Sequence, residues 1–499
     1  MNDEEIVFKD RVLDSVHGFI YYTESEEKII NTSLFKRLQS IKQLSIVNWV
    51  FPGSEHTRYI HSLGVMYIAD KIAIQLKLNV RERKIVRFAG LLHDIGHYPL
   101  SHVCEFPYKK NLESFPDDSF CLDVNKRVKN NIDELDGKSG YSYKYMSKSS
   151  GYHHENIGAF IVLNNKEIKD IIVNECGENA PEIIADMITG NVERMQTEPL
   201  LVQILHSELD ADGIDYLMRD AMFSGTSFGT FELDQLIGCM TVGENKGKSI
   251  LCITPKGIAA ADQYLINKFF SYSQVVFNKH ISITEWMAER IVNWMQKNNA
   301  YFPKNTVLKQ WVTSPKAEDK YIGFTDNFFW ASLQNILDNP LADTEPQFIK
   351  FFCRQLLRHK ELDFEPNSEV KIISSNFDDI RAELQKSDFY KRLTNWNDRI
   401  GVLSIRPMSK QMTQKDFDEL IEEKISEGNQ KPDEEDSISR DDYDMLQNRR
   451  LMEGICIKDG DDLHLLCDDS RSLMHTIYNL NLVIFRTYKC QFQIPAIID

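Results

Sequence analysis

The chain has 499 residues, 42% of them hydrophobic and 27% charged, the proportions of an ordinary globular protein with room for about two or three domains. Acids outnumber bases 75 to 58, a net charge of −17, which argues against non-specific nucleic-acid binding or a grip on anionic lipid but leaves room for one local basic pocket. No apolar run reaches the roughly 18 residues of a membrane span, the start Met1-Asn2-Asp3-Glu4-Glu5 is acidic, and the nine scattered cysteines include no Cys-x-x-Cys pair, so a cytoplasmic protein with reduced thiols and no membrane partner is expected.

Taken in order, the first 300 residues read mainly as helices. Ile30, Leu34, Leu38, Ile41 and Leu44 recur at helical spacing, as do Val65, Ile68, Ile72 and Leu76, and then Ile85, Phe88, Ala89 and Leu92. The stretch from about 105 to 150 is polar and broken by Pro107 and Pro116, and reads as an insertion. Helical pattern resumes over Glu155 to Leu163, Pro181 to Ile188, Leu200 to Asp220 and Ile258 to Asn298. Beyond about residue 300, β-like runs are expected at Val370-Ile373, Val402-Ile405 and Cys490-Ile494, with a hairpin joining Gly454-Ile457 to Leu463-Leu466 across Asp459-Gly460. An acidic stretch over about 415–444 reads as a solvated loop or linker.

Chemistry enters where polar residues sit on core stripes. His61 lies on the stripe of Val65, Ile68 and Ile72; His93 continues Ile85 and Ala89, with Asp94 directly after it. Leu205, Leu209, Asp212, Tyr216 and Asp220 are expected to share one helix face. Burying a carboxylate or an imidazole costs several kcal/mol unless it is paired or coordinates a cation. Two imidazoles and two carboxylates from separate helices can satisfy each other through a divalent ion, and the mixed N/O set suits Mn, Fe, Co, Ni or Zn better than calcium. His97, His102 and His154 cluster near this point in sequence, and Gly96 is placed to end the helix that carries His93.

At these residues the sequence resembles the HD-domain superfamily of metal phosphohydrolases, and within it the deoxynucleoside triphosphate triphosphohydrolases (dNTPases, including dGTPases). The resemblance covers about the first 290 residues. It runs through Asp14-Ser15-Val16-His17-Gly18, Phe35-Lys36-Arg37-Leu38 to Ile41-Lys42-Gln43-Leu44, and Val50-Phe51-Pro52-Gly53. It continues in Thr57-Arg58-Tyr59-Ile60-His61-Ser62-Leu63-Gly64-Val65, Ala89 to His102, and Asp212 to Asp220. Six segments in the family's order make it specific.

The resemblance implies a mainly α fold, an HD-domain helical bundle core over 1–300; residues 301–499 carry no clear functional motif and read, from their mixed pattern, as a C-terminal α+β regulatory or oligomerisation region. The resemblance makes His61, His93, Asp94 and Asp212 the ligands of one tightly bound divalent transition metal. Gln43, Arg58, Tyr216 and Asp220 become substrate contacts, and His97, His102 and His154 the catalytic histidines, with Glu105 supporting them. The implied reaction is in-line attack of metal-activated water on the α-phosphorus of a dNTP, His102 protonating the leaving oxygen, to give a deoxynucleoside and tripolyphosphate. Mg2+ would accompany the phosphates, and a homo-oligomer (dimer, tetramer or hexamer) and an activating nucleotide are further expectations.

Departures from the family pattern are specific. A phosphate-binding Arg is missing near Phe269, with Lys268, Lys279 and His280 nearby, and Gly213 stands where some relatives carry a lysine. Asn31 and Gln39 occupy the places where activated relatives read guanine. Two rival readings keep the fold: a phosphodiesterase or phosphatase acting on a nucleoside monophosphate, cyclic nucleotide or alarmone, and a catalytically silent nucleotide sensor.

Overall fold

The structure, a computed structural model, describes residues 5–109, 153–190, 197–298, 300–314, 316, 318–338, 347–376, 379–380, 382–383, 399–409, 411, 413–415 and 450–490. The polar insertion beyond residue 109, the acidic stretch beyond 415 and residues 491–494 lie outside the described residues.

The chain opens with a hairpin, β1 (Asp10–Asp14) and β2 (Gly18–Tyr22), followed by α1 (Glu24–Ile30) and α2 (Ser33–Lys36). Two long helices come next, α3 (Arg58–Gln75) and α4 (Val80–Leu92), then α5 (His102–Lys109). The described chain continues through α6 (His154–Asn164), α7 (Lys166–Cys176), α8 (Ala180–Thr189), α9 (Pro199–Leu205), α10 (Ala211–Ser224) and α11 (Leu233–Gly238). Strands β3 (Met240–Asn245) and β4 (Lys248–Ile253) precede α12 (Ile258–Ser271) and α13 (Lys279–Lys297). The remainder holds α14 (Asn305–Thr313), α15 (Glu318–Ile322), α16 (Asp326–Asp338), α17 (Gln347–Leu357), β5 (Asp363–Ser374) and β6 (Arg399–Pro407). It closes with β7 (Cys456–Asp459), β8 (Asp462–Leu465), α18 (Met474–Ile477) and β9 (Asn481–Lys489). The architecture is mainly α, with an α+β C-terminal part.

Helix α3 is the axis of the bundle. Polar and apolar residues alike are buried along it, from Arg58 and His61 to Ile72 and Ala73, as befits a helix enclosed by others. Against it pack α4 and α10. Helix α4 starts in a capping box, Asn79 accepting from Glu82 N–H while Glu82 returns to the Asn79 amide, which satisfies two donors the first turn leaves open.

Several apolar stripes are buried as expected while the backbone beneath them breaks. Ile30, Leu34, Leu38 and Ile41 are all buried, but Thr32 caps a new helix and the chain turns 3-10 over Arg37–Ser40. The 200–220 run is two helices, because Asp210 caps α10 by accepting from Gly213 N–H at 2.7 Å. Leu205 and Leu209 therefore do not share a helix face with Asp212. The 258–298 run is likewise broken by a π-turn at Tyr272–Val276, and Asn278 caps α13. Gly96 does not end α4, which stops at Leu92. Its role is close approach: a Cβ there would sit 2.1 Å from the His154 carbonyl oxygen.

The sheets tie the two ends of the chain together. In the order β3-β4-β7-β8, β4 pairs in parallel with β7 through Cys252 opposite Cys456, so 248–253 and 456–459 form one layer. The expected hairpin is present as β7–β8, with Asp459 opposite Asp462, so the turn residues are Gly460-Asp461 and not Asp459-Gly460. The second sheet, β5-β9-β6, is antiparallel about β9, which is buried over all but Lys489. The last strand thus ends before Cys490. One apolar core runs from Ile20 to Cys490 and includes Phe302, Phe324, Phe329 and Ile457. The eight described cysteines are buried and unbridged.

The 324–326 segment braces a strained loop. Leu100 and Ser101 both have positive φ, 48° and 52°, a conformation that costs a non-glycine residue about 1–2 kcal/mol. Asp326 accepts from Leu100 N–H at 2.7 Å and from Lys42 N–H at 3.0 Å, and Arg37 donates to the carbonyls of Phe324 and His97. Asp326→Ala removes both acceptors and is expected to lower unfolding free energy by about 2–4 kcal/mol, read by urea denaturation. Asp326→Asn, which keeps one acceptor, loses less; an unchanged midpoint for the Ala variant would remove this brace from the account.

Candidate active site

The four expected metal ligands meet at the centre of the bundle. His61 comes from α3, His93 and Asp94 from the end of α4, and Asp212 from the first turn of α10. Ligating atoms of His61, His93 and Asp94 lie within 4.8 Å of one another. Asp212 Oδ1 is 2.9 Å from His61 Nε2 and 3.7 Å from His93 Nε2, and Asp94 Oδ1 is 3.5 Å from His93 Nε2.

Hydrogen bonding fixes what each ring offers. His93 Nδ1–H donates to the Gly90 carbonyl at 2.8 Å, which leaves Nε2 as a bare lone pair; that atom is buried and makes no hydrogen bond. A lone pair aimed at two carboxylates is repulsive unless a cation stands between them. His61 Nδ1–H donates to Asp215 Oδ2 at 2.7 Å, so its Nε2 faces Asp212 in the same way. Burial works against a charged ring, but hydrogen bonds to Asp212 and Asp215 push the His61 pKa up to about 10; a metal can take the place of the proton those two carboxylates demand. Burial also opposes the charge of Asp94, yet Arg58, His93 and His61 hold its carboxyl well below the usual range. The donor set therefore fits a divalent cation. The Asp212 side chain is 39% exposed whereas those of His61 and Asp94 are at most 3% exposed, so the quartet opens to solvent on the α10 side.

Behind His61 stands a buried ionic network that the sequence reading did not assign. Asp215 accepts from His61, from His17 Nε2 at 2.5 Å and from Arg219 at 2.8 and 2.9 Å. Arg219 in turn clamps Asp14, whose Oδ1 caps the amides of Val16 and His17. Gly64 makes room for this: a Cβ there would lie 1.9 Å from Asp215 Oδ1 and 2.4 Å from Arg219 Nη2. The available signal was the opposite charges of Asp215 and Arg219 at i, i+4 between the apolar residues Ile214, Leu217 and Ala221.

The three histidines form a second cluster beside the first. His97 and His154 rings stack at 4.0 Å, and the His102 ring is 5.0 Å from His97. Glu105 joins them directly, accepting from His154 Nδ1 and the His154 amide at 2.8 Å each and from His102 Nδ1 at 2.9 Å. Burial opposes its charge, but His154 and His102 hold Glu105 far below the usual carboxylate range. The His102 side chain is 66% exposed, so its Nε2 edge is open to a ligand.

Of the four expected substrate residues, Arg58 touches the quartet directly. Arg58 donates to Asp94 at 2.6 Å and to Ser101 Oγ at 2.8 Å, and Ser101 donates to the Lys42 carbonyl at 2.7 Å. Gln43 is buried with its Oε1 lacking a hydrogen-bond partner. The Gln43 backbone N–H donates to the His56 carbonyl, and the His56 ring meets Asp220 at 2.8 Å. Tyr216 and Asp220 stand one and two turns beyond Asp212 on α10. Ser101, His56 and Asp215 are the site residues sequence reasoning missed; each acts by fixing a residue it did identify. Gly213, noted as a departure, has a steric cause, since a Cβ would fall 2.2 Å from the Tyr264 hydroxyl.

Around this constellation, a His/His-Asp/Asp quartet inside a helical bundle, residues 58–120 match the HD domain. The chain is 30% identical over 289 residues to an uncharacterized protein of Methanocaldococcus jannaschii, a match covering 58% of this chain and 50% of that one. Over 97 residues it is 44% identical to the deoxynucleoside triphosphate triphosphohydrolase SAMHD1 of Bos taurus, covering 18% and 16% of the two chains. The chain thus spans about half the length of the first relative and a small share of the second. The crystal structure of a hypothetical protein from Aquifex aeolicus shares the fold over 96% of both chains, with a TM-score of 0.62 at 20% identity. No described helix is long and apolar enough to cross a membrane.

Asp215→Asn tests the network behind His61. Removing one charge from a buried ion network costs about 3–5 kcal/mol, and disturbing the partner of a metal-binding imidazole typically lowers metal affinity about 10–100-fold. Both losses are expected, measured by denaturation and by metal titration. Wild-type affinity in a folded Asn variant would show that His61 needs no such support.

Proposed function

We propose that the protein hydrolyses deoxynucleoside triphosphates to deoxynucleoside and tripolyphosphate. One observation carries this reading: Asp212, Tyr216 and Asp220 succeed one another at i, i+4 and i+8 on α10, so that a face beginning at the metal quartet continues as an aromatic ring and then a carboxylate. That order suits a phosphate, a sugar and a sugar hydroxyl. The SAMHD1 name of a relative points the same way.

His61, His93, Asp94 and Asp212 would hold the metal. When bound there, a divalent ion supplies Lewis acidity, polarising a phosphoryl oxygen and making water acidic enough to attack near neutral pH. The remaining work falls to side chains. Arg58, fixed by Asp94 and Ser101, places positive charge beside the α-phosphate, where negative charge grows in the transition state. As the water oxygen bonds to phosphorus, the P–O5′ bond breaks, and the leaving oxygen needs a proton. His102 can give it from Nε2 as the imidazolium, whose other proton, on Nδ1, is donated to Glu105. Glu105 also holds His154, keeping the cluster ordered beside the exposed His102 ring. Tyr216 would support the sugar, and Asp220, held by His56, would accept from its 3′-hydroxyl. The same reading gives Mg2+ to the phosphates, a homo-oligomer to the assembly, and control of the site to residues 301–499.

Purified protein incubated with each dNTP and Mn2+ or Mg2+ is expected to release deoxynucleoside and tripolyphosphate, resolved by ion-exchange chromatography. Release of orthophosphate or pyrophosphate, or hydrolysis of cyclic nucleotides or alarmones alone, would replace this reading with the phosphodiesterase or phosphatase one. His93→Ala, which leaves the Asp215 network untouched, is expected to lose at least ~100-fold in kcat/KM with its melting temperature kept. Full activity in that variant would displace the metal assignment.

A further inference from the structure

Beyond Asp212 the α10 side of the site is walled by phenols. Tyr216 is joined there by Tyr264 of α12 and by Tyr272 of the π-turn that follows it. Lys268 lies among them, its Nζ 5.8 Å from the centre of the Tyr216 ring, 5.4 Å from that of Tyr264, and 3.5 Å from the Tyr264 hydroxyl. The second cation on this wall comes from the other end of the chain. Arg406, the next-to-last residue of β6, sits opposite Leu482 in the sheet and lays its guanidinium over the Tyr272 ring, 3.8 Å from the centroid.

The position of Arg406 is unusual for a half-buried arginine. Among the described residues its guanidinium makes no hydrogen bond and no ion pair, and it stacks on Tyr272. The carboxylate that approaches it, Glu208, is bound by Ser409 Oγ at 2.9 Å. Its charge is felt inside the site: burial pushes the Tyr216 and Tyr264 phenols well above their usual range, and Arg406 opposes that rise in both. A guanidinium stacked on an aromatic ring keeps its five donors in the plane, in the fork that matches phosphate oxygens. The other cations near the quartet are committed, Arg58 to Asp94 and Lys42 to Glu55 at 2.7 Å. A triphosphate brings about four negative charges, and a chain of net charge −17 must supply local positive charge to hold them.

We propose that Arg406 is a phosphate-binding residue of the active site, its guanidinium gripping the terminal phosphates of the substrate, so that the C-terminal sheet completes a site otherwise built from the first 300 residues. The proposal rests on the reading of the substrate as a nucleoside triphosphate at the metal quartet. It places the β- and γ-phosphates along the Tyr216–Tyr272 wall, with Lys268 beside them, and it makes the seating of β6 against α12 a condition for binding.

The experiment uses the full chain with Mn2+ and two probes that divide the substrate: inorganic tripolyphosphate, which has no sugar or base, and a deoxynucleoside, which has no phosphate. Calorimetry is expected to show tripolyphosphate affinity falling at least 10-fold in Arg406→Ala and partly recovering in Arg406→Lys, with deoxynucleoside affinity unchanged. In steady state, KM for the dNTP rises more than kcat falls. If Arg406→Ala lowers the melting temperature, Arg406→Gln, which keeps the stem on Tyr272, carries the same comparison. Wild-type tripolyphosphate affinity in these variants, or loss of deoxynucleoside affinity instead, overturns the proposal while dNTP hydrolysis by the wild type still stands. Arg406-dependent tripolyphosphate binding in a protein that hydrolyses no dNTP would sustain the phosphate site and overturn the proposed reaction. Absence of tripolyphosphate binding in the wild type overturns the Arg406 assignment.

Discussion

Asp215 is a carboxylate with no exposed surface, and three positively polarised groups converge on it: the His17 ring, the His61 ring and the Arg219 guanidinium. Burial pushes its carboxyl pKa upward, but Arg219, His17 and His61 hold it well below the usual range. The charge cannot leave without stranding its partners, so the arrangement is all or nothing. The consequence reaches in two directions. Through Arg219 and Asp14 it fixes the turn between β1 and β2 to the bundle; through His61 Nδ1 it decides which nitrogen faces the quartet. A hairpin at the edge of the fold is in this way connected to the tautomer of a ring at its centre.

The histidine cluster repeats that logic with Glu105. One buried carboxylate fixes two rings by their Nδ1 atoms and so presents their Nε2 edges outward. The difference lies in exposure. The His61 side chain is sealed, whereas that of His102 is open to solvent. Two buried carboxylates with similar duties thus order one sealed ring and one open ring side by side.

The bundle and the quartet were legible in the sequence because both depend on periodicity. A polar residue on an apolar stripe marks itself, and His61, His93, Asp94 and Asp212 all did so. Helix ends were less legible. Asp212 was assigned through a stripe that included Leu205 and Leu209, yet α10 begins only at Ala211, because Asp210 takes up the cap. The structure does bring Asp212 beside His61 and His93, but from a helix that begins after Leu205 and Leu209. Gly96 was read as a helix terminator from its place after His93, while what demands a glycine is the His154 carbonyl, contributed from far along the chain. The strands β3 and β4 were not read either, although they pair locally across the Lys246-Gly247 turn; only the second partner of β4, β7, comes from some two hundred residues on.

Long-range pairing also changes what the C-terminal part is for. A strained loop carrying Leu100 and Ser101 is braced by Asp326, and Ser101 is what holds Arg58 in position. Arg37, bonded to Phe324 and His97 carbonyls, fixes the same loop from its other end. These contacts place residues 324–326 within two bonds of groups that border the metal quartet, so the helices beyond residue 300 act on the geometry of the site without lining it. A lobe attached in this way need not move far to matter: a shift of the α16 N-terminus would release the Leu100 amide, relax two left-handed residues and loosen the Arg58 anchor together. Coupling of that kind arises from the hydrogen bonds themselves, and it makes the integrity of the second half of the chain a condition for order in the first.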